Sequence, residues 1–425
     1  MTRPAFFLRL IVFLLAVTCD LQGAVSLGID QLEKSHFAVL RGKRVGLITN
    51  PSGADSRGRS AIDVLYHGTG FHLVRLFGPE HGIDGQTGAG LTVSNGRDRR
   101  TGLRVCSLYG DTRRPTPEML EGLDVLVYDV QDLGNRSYTF ISTLGYVMEE
   151  AAKYNIEVIV LDRPNPLGGV RIEGPRLDPS AKSFVGLYDI PLVYGLTPGE
   201  LAQWINAHYL PSPCRLTVVP MSGWSRGMVW EDTRLHWIPT SPNIPTIGAA
   251  RGYTATGFLG EIGIESGIGS PAPFQVVSGT GWDTGELAAR FNALRIPGVR
   301  ASVYSYRTES GRWAGSAYEG IYLAIDPRNA GNLSAISFQS IEILERTVRG
   351  FSPFDRTTAD QRQMFDKVTG QPSIRRDLIE GRAVSSIVRS WNPGVTRWAQ
   401  ERLPYLIYRN GSRTPVTIAS GMEGP

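Results

Sequence analysis

Four short apolar runs mark the first half of the chain, and each one stops at a polar cluster. RVGLIT from Arg44 ends in Thr49, Asn50 and Pro51, and Leu73 to Phe77 ends in Gly78-Pro79 followed by Glu80, His81 and Asp84. DVLVYDV ends in Asp129, Gln131 and Asp132, and Ile156 to Leu161 ends in Asp162-Arg163-Pro164-Asn165-Pro166. Apolar runs this short, bounded by Gly and Pro, predict strands buried inside a sheet. Between them, Ala61 to Tyr66 predicts a short helix, and Thr116-Pro117 opens another with Thr as cap and Pro in the first turn. Tyr138 to Tyr154 carries Ile141, Leu144, Val147, Met148 and Ala151 at helical spacing. Strand, helix, strand makes the strands parallel. Val105 to Tyr109 predicts an edge strand and Leu216 to Pro220 a further strand; Thr197-Pro198-Gly199-Glu200 is a capping box opening a helix to His208.

The pattern changes near Trp282. Asp283 to Leu294 and Ile336 to Val348 read as helices, Val299 to Tyr306 and Tyr318 to Asp326 as strands, and polar clusters at strand ends are few apart from Glu319. Two α/β domains follow, 27–281 and 282–425, the second with a packing or substrate-covering role.

The amino terminus adds a destination. Arg3 and Arg9 precede the apolar run Leu10 to Val17, too short for a membrane span, so residues 1–26 read as an export leader whose end is uncertain. The chain is expected in the periplasm or outside the cell, with no membrane span once the leader is removed. A lipid on Cys19 is disfavoured because Thr18 is bulkier than the usual small residue. Cys106 and Cys214 remain, either paired or as two buried thiols. Formal net charge is +4, with two of the Arg residues in the leader and no basic stripe, which argues against a nucleic-acid partner. The 49 Gly and 27 Pro are dispersed, so the chain is compact and rich in loops.

The polar clusters carry the candidate chemistry. Carboxyl ends of parallel neighbours share one edge, the edge where ligands bind in open α/β sheets, so the four clusters converge there. Trp230, Trp237 and Pro239 to Asn243 form an aromatic and polar loop that suits a saccharide cleft. Ser225 sits in a formal GxSxG match, but Trp230, Trp237 and Pro239 follow with no helical period to hold a nucleophile elbow. Gly267 to Ala272 meets the dinucleotide fingerprint in letters only, because Pro271 and Pro273 interrupt the helix it needs. No His pair has zinc-ligand spacing, so neither metal nor cofactor is expected.

Taken together, GLITNPSG, LFGPEHGIDG, YDVQDLGNRSYTFISTL, VLDRPNPLGG, YGLTPGELA, TSPNIP and FDKVTGQPSIRR resemble, in order and over nearly the whole mature chain, the exo-β-N-acetylmuramidase family. The resemblance implies a Rossmann-like catalytic domain, a smaller C-terminal α/β domain, and a cleft between them. It also implies release of N-acetylmuramic acid from the non-reducing end of peptidoglycan fragments.

Glycoside cleavage asks for a carboxylic acid to protonate the leaving oxygen and a second group to stabilise the cation or direct water. Glu80 is the expected acid. Asp129 or Asp132 supplies a second carboxylate, or the substrate's 2-acetamido group assists. His81 orients Glu80 or touches sugar hydroxyls. Arg136 is the expected cation for the lactyl carboxylate, with an ion pair to Asp132 or Asp129 as its alternative and Arg163 as second choice. Asn50, Asp84, Asp132, Tyr138, Asp162, Asn165 and Asn243 complete the expected substrate-binding set.

Two departures from the family pattern stand out: Val193-Tyr194 replaces Arg-His, and Ile262-Gly263 with Gly267-Ile268-Gly269-Ser270 replace Thr-Asn and GRGT. They bear on substrate contacts more than on the reaction. Two other classes compete: an acyl hydrolase acting through Ser225, and an exported sugar-binding protein without turnover.

Overall fold

The computed structural model describes residues 24–309 and 314–409. Cys19 and nearly all of the leader lie outside the described residues.

Seven strands form the larger sheet: β1 (Arg44–Thr49), β2 (His72–Gly78), β3 (Gly96–Arg97), β4 (Arg104–Ser107), β5 (Val125–Asp129), β6 (Glu157–Leu161) and β7 (Leu216–Val219). Their order is β3-β4-β2-β1-β5-β6-β7. Every pair is parallel except β3 with β4. The six parallel strands, counted along the chain, run third, second, first, fourth, fifth, sixth, which is the Rossmann order with its reversal between β1 and β5. β4 was expected at the edge; β3 covers it.

The buried pattern explains the strands. Val45, Leu47 and Ile48 are sealed from solvent, and every residue of β5 is buried, as a central parallel strand with helices on both faces requires. Helix Phe140–Lys153 turns Ile141, Leu144, Val147, Met148 and Ala151 into the core. Helix Pro198–His208 opens on the capping box between Thr197 and Glu200. In register, Thr49 stands opposite Asp129 and Ile48 opposite Phe77, so the polar clusters after β1, β2, β5 and β6 share one edge.

Cys106 lies on β4 and Cys214 just before β7, both buried. Five strand spacings separate β4 from β7 in the sheet order, roughly 24 Å, far beyond disulfide reach. They are two buried thiols.

The second sheet is antiparallel: β8 (Val276–Gly279), β9 (Val299–Arg307) and β10 (Ala317–Ile325), ordered β8-β10-β9. Because β8 pairs with β10, the boundary expected after residue 281 moves upstream of Val276. Nor does 282–425 form one block. Helix Asn392–Glu401 returns to the first core, where fully buried Trp398 packs on Trp204 and donates its Nε1–H to the Tyr194 carbonyl at 2.8 Å.

Candidate active site

Glu80 stands two residues past β2, on a backbone forced to turn at once. His81 takes φ 71°, and Gly82 and Gly85 follow at 80° and 68°. A left-handed residue with a side chain costs energy and persists only where surroundings over-determine it. Here His81 Nδ1–H donates to the Thr87 carbonyl at 2.8 Å, and its ring meets Phe140 edge-on. The carbonyl can only accept, so that bond requires a proton on Nδ1.

The turn delivers the Glu80 carboxylate into a set of donors. Thr139 Oγ1 donates to Oε2 at 2.5 Å and the Gly90 N–H to Oε1 at 2.9 Å, and Glu80 keeps 8% of its surface exposed. Thr139 immediately precedes helix Phe140–Lys153, so the Glu80 carboxyl group sits at that helix's amino end. Two phenols flank it. Burial first, then the Glu80 charge, pushes the Tyr109 phenol up to about 12. Tyr253 is likewise raised to about 12, by burial and then by Glu80 and Glu261. Glu261 is half-buried, and burial raises its carboxyl above the usual range.

Several expected site residues are engaged elsewhere. Asp129 is sealed, and Arg163 grips it with two bonds, Nε at 2.6 Å and Nη2 at 2.9 Å. A carboxylate so enclosed cannot meet a sugar, which removes Asp129 as the second catalytic group and Arg163 as a substrate cation. Arg136 is not the lactyl-binding cation, and it pairs with neither Asp129 nor Asp132. Wholly buried, it donates to the carbonyls of Pro175 at 2.7 Å, Ile190 at 2.8 Å and Thr369 at 2.8 Å. Burial lowers its pKa to about 9.

Asp162 is a structural knot and not a substrate ligand. It accepts from Tyr408 Oη at 2.6 Å, Thr197 Oγ1 at 2.7 Å, and the N–H groups of Gly199 at 2.8 Å and Arg163 at 3.0 Å. Asn165 is also structural, stapling the Leu196 carbonyl to the Leu167 N–H, both at 2.9 Å.

The remaining residues hold or rim the site. Asn50 donates to the Thr240 carbonyl at 3.2 Å and accepts from Ser52, while Tyr138 donates to Thr240 Oγ1 at 2.8 Å and packs between Phe140 and Tyr253. Both fix the loop that carries Asn243, which is half-buried. Asp84 is exposed on the rim and accepts the Gln86 N–H at 3.1 Å. Asp132 Oδ2 accepts from the Gly134 N–H at 2.7 Å and from Tyr194 Oη, while Oδ1 is buried with no donor. Burial pushes Asp132 up to about 6. Tyr194, one of the departures from the family pattern, thus finds its partner in Asp132.

A cavity of about 600 Å³ lies over the carboxyl ends of β1, β5 and β6, lined by Asn50, Gln131, Arg163, Trp230 and Trp237. It reaches the Glu80 turn through Ile83 but does not include Glu80. Cavity size alone does not supply an acid, and the Glu80 carboxylate, held by Thr139 and Gly90, lies outside this lining. Ser225 is no elbow: a turn and one short 3-10 segment follow it, and neighbouring Arg226 is buried against Glu200 at 2.6 Å. Among the described residues no group of three or more His, Cys, Asp or Glu is placed to hold a metal, and no helix is long and apolar enough to cross a membrane.

Thr139, Gly90, Tyr109, Tyr253 and Glu261 were not singled out in the sequence. Thr139 alone had a signal, as a hydroxyl residue just before a periodic helix.

Comparison with known proteins places this arrangement. The profile of the exo-β-N-acetylmuramidase NamZ N-terminal domain matches residues 45–248, and that of the C-terminal domain residues 251–408. The division agrees with the upstream boundary set by β8. The peptidoglycan β-N-acetylmuramidase NamZ of Bacillus subtilis (strain 168) is 39% identical over 384 residues, covering 90% of this chain and 91% of that protein. Two solved DUF1343 family proteins of Bacteroides fragilis NCTC 9343 share the fold. One is 40% identical with TM-score 0.84, covering 91% of this chain and 99% of its own; the other is 28% identical with TM-score 0.69, covering 92% and 100%. Matched by both domain profiles and by a relative along nine-tenths of its length, the chain belongs to the exo-β-N-acetylmuramidase NamZ family and is a glycosidase.

Proposed function

We propose that the exported chain releases β-1,4-linked N-acetylmuramic acid from the non-reducing end of peptidoglycan fragments, with Glu80 as general acid. The observation that carries this is the Glu80 carboxylate itself, set by Thr139 and Gly90 at the carboxyl edge of the sheet, where its charge raises the Tyr109 and Tyr253 phenols. Protonated Glu80 gives its proton to the glycosidic oxygen as the bond to the anomeric carbon breaks. With Asp129 sealed, the substrate's own acetamido oxygen is the group we assign to that carbon; it forms a cyclic intermediate without a bond to the enzyme. Water then adds, returning a proton to Glu80. Asn243 and the half-buried Glu261 are assigned to the sugar's polar groups.

The test is release of 4-nitrophenol from the β-N-acetylmuramide and from the β-N-acetylglucosaminide by leaderless wild type and Glu80→Gln. Turnover of the muramide is expected, reduced at least ~10²-fold in Glu80→Gln with an unchanged circular dichroism spectrum. Full activity in Glu80→Gln removes the acid assignment. No turnover by folded wild type favours a saccharide-binding protein instead.

A further inference from the structure

With Arg136 spent on carbonyls and Arg163 on Asp129, neither expected cation is free to meet the anionic group that distinguishes muramic acid from glucosamine. The neighbourhood of Glu80 contains another. Arg113 lies between β4 and helix Pro117–Leu120, is exposed, and is bonded to no carboxylate among the described residues. Its neighbour Arg114, in contrast, takes Glu149 and Glu150 at 3.0 and 2.9 Å. The Arg113 guanidinium carbon sits 4.9 Å from the Tyr109 ring centre and 4.5 Å from that of Phe184. Those rings are themselves packed 5.8 Å apart, with Val93 and Tyr146 in the same small apolar cluster.

Tyr109 connects the cation to the acid. The Leu108 N–H donates to the Gly78 carbonyl and the Val93 N–H to the Tyr109 carbonyl, both at 2.8 Å, which sets Tyr109 beside the turn that carries Glu80, with Arg113 against its ring; the Glu80 charge raises the Tyr109 phenol's pKa and Arg113 lowers it. A guanidinium held against aromatic faces loses little further freedom on binding, and it can present paired N–H groups to a carboxylate. Muramic acid carries its lactyl carboxylate on O3, two ring carbons from the anomeric centre where Glu80 acts. A sugar lying along Tyr109 would bring the anomeric oxygen to one end of the phenol and the lactyl group to the other.

We propose that Arg113, braced by Tyr109 and Phe184, binds the substrate's lactyl carboxylate and so selects muramic acid over glucosamine glycosides at the Glu80 site. This rests on the glycosidase reading above and deepens it by naming the residue that sets specificity. The pair is a charge-assisted, two-bond contact, and losing it costs roughly 10- to 100-fold in binding.

The experiment compares wild type, Arg113→Met and Arg113→Lys on three 4-nitrophenyl glycosides: the β-N-acetylmuramide, its lactyl methyl ester, and the β-N-acetylglucosaminide. Arg113→Met is expected to lower kcat/KM on the muramide about 10- to 100-fold, mainly through KM. Its values on the ester and the glucosaminide should stay within about twofold, and Arg113→Lys should recover part of the loss. Equal losses on acid and ester, or no loss at all, would overturn the assignment. Calorimetric titration with free N-acetylmuramic acid and N-acetylglucosamine gives a second readout independent of turnover. Arg113→Met must weaken the first and spare the second. If wild type turns over no muramide but binds the free acid through Arg113, the glycosidase reading fails while the carboxylate site stands.

Discussion

At the scale of single residues, Asp132 shows how burial can outweigh hydrogen bonding. Its Oδ2 has two donors, Gly134 N–H and Tyr194 Oη, while Oδ1 has none, and burial lifts the carboxyl from its ordinary 3.8 to about 6. Between those values the native state keeps a proton that the unfolded chain has lost, so stability falls as pH rises through the window. The loss amounts to about 3 kcal/mol, two pKa units at ~1.4 kcal/mol each. Asp132→Asn keeps an acceptor for Gly134 and Tyr194 and cannot ionise. Urea unfolding from pH 4 to 7 should show wild type losing about 3 kcal/mol relative to the variant. Asp162 also has a burial-raised value near 6, but it is present in both proteins and cancels. Parallel pH curves for the two would refute this account of Asp132.

At the scale of elements, the same edge that presents Glu80 is tied together by charge. Asp129 ends β5, and Arg163 follows β6 and also donates to the Ala54 carbonyl at 2.7 Å, joining three strand ends. Arg163→Met leaves a buried carboxylate without its partner, which is expected to cost about 3–5 kcal/mol in chemical unfolding. Adding Asp129→Asn should recover part of that. Where folded, both variants should keep kcat/KM on the muramide within about twofold, since Asp129 is sealed and the Arg163 guanidinium is spent on Asp129 and the Ala54 carbonyl. A large loss of activity in a stable Arg163→Met protein would return Asp129 to the catalytic set.

Strands and helices were legible because their apolar runs are local: Ala61 to Tyr66 and Val125 to Val130 declare themselves within a few residues. Convergence of the clusters was legible too, since parallel strands share their carboxyl edge. The job of each polar residue was not. Asp129 and Arg163 are 34 positions apart, Glu80 and Thr139 are 59, and Arg136 and Thr369 are 233. No short window of sequence contains any of these three pairs.

At the scale of the whole molecule, Arg136 joins the two units. It leaves the edge after β5, passes between the carbonyls of Pro175 and Ile190, and ends on the Thr369 carbonyl of the second unit. Gly370 there takes φ 80°, and a Cβ on it would come within 2.1 Å of Arg136 Nη2, so the contact requires a residue without a side chain. The Gly370 carbonyl in turn accepts the Asp178 N–H at 2.7 Å, closing the seam from the other side. Arg136→Met strips three buried carbonyls of their donor, at about 1–3 kcal/mol each. The expected result is a fall of at least about 3 kcal/mol in unfolding free energy, with faster amide exchange and protease cutting around residues 366–371. Both glycosides should suffer alike, because the buried Arg136 guanidinium holds backbone carbonyls and discriminates neither sugar, and their ratio of kcat/KM should hold. Arg113→Met is expected to do the reverse, shifting that ratio while leaving stability within about 0.5 kcal/mol, as an exposed side chain should. A changed ratio in Arg136→Met, with the seam still protected from exchange, would show that the buried guanidinium reaches the sugar after all.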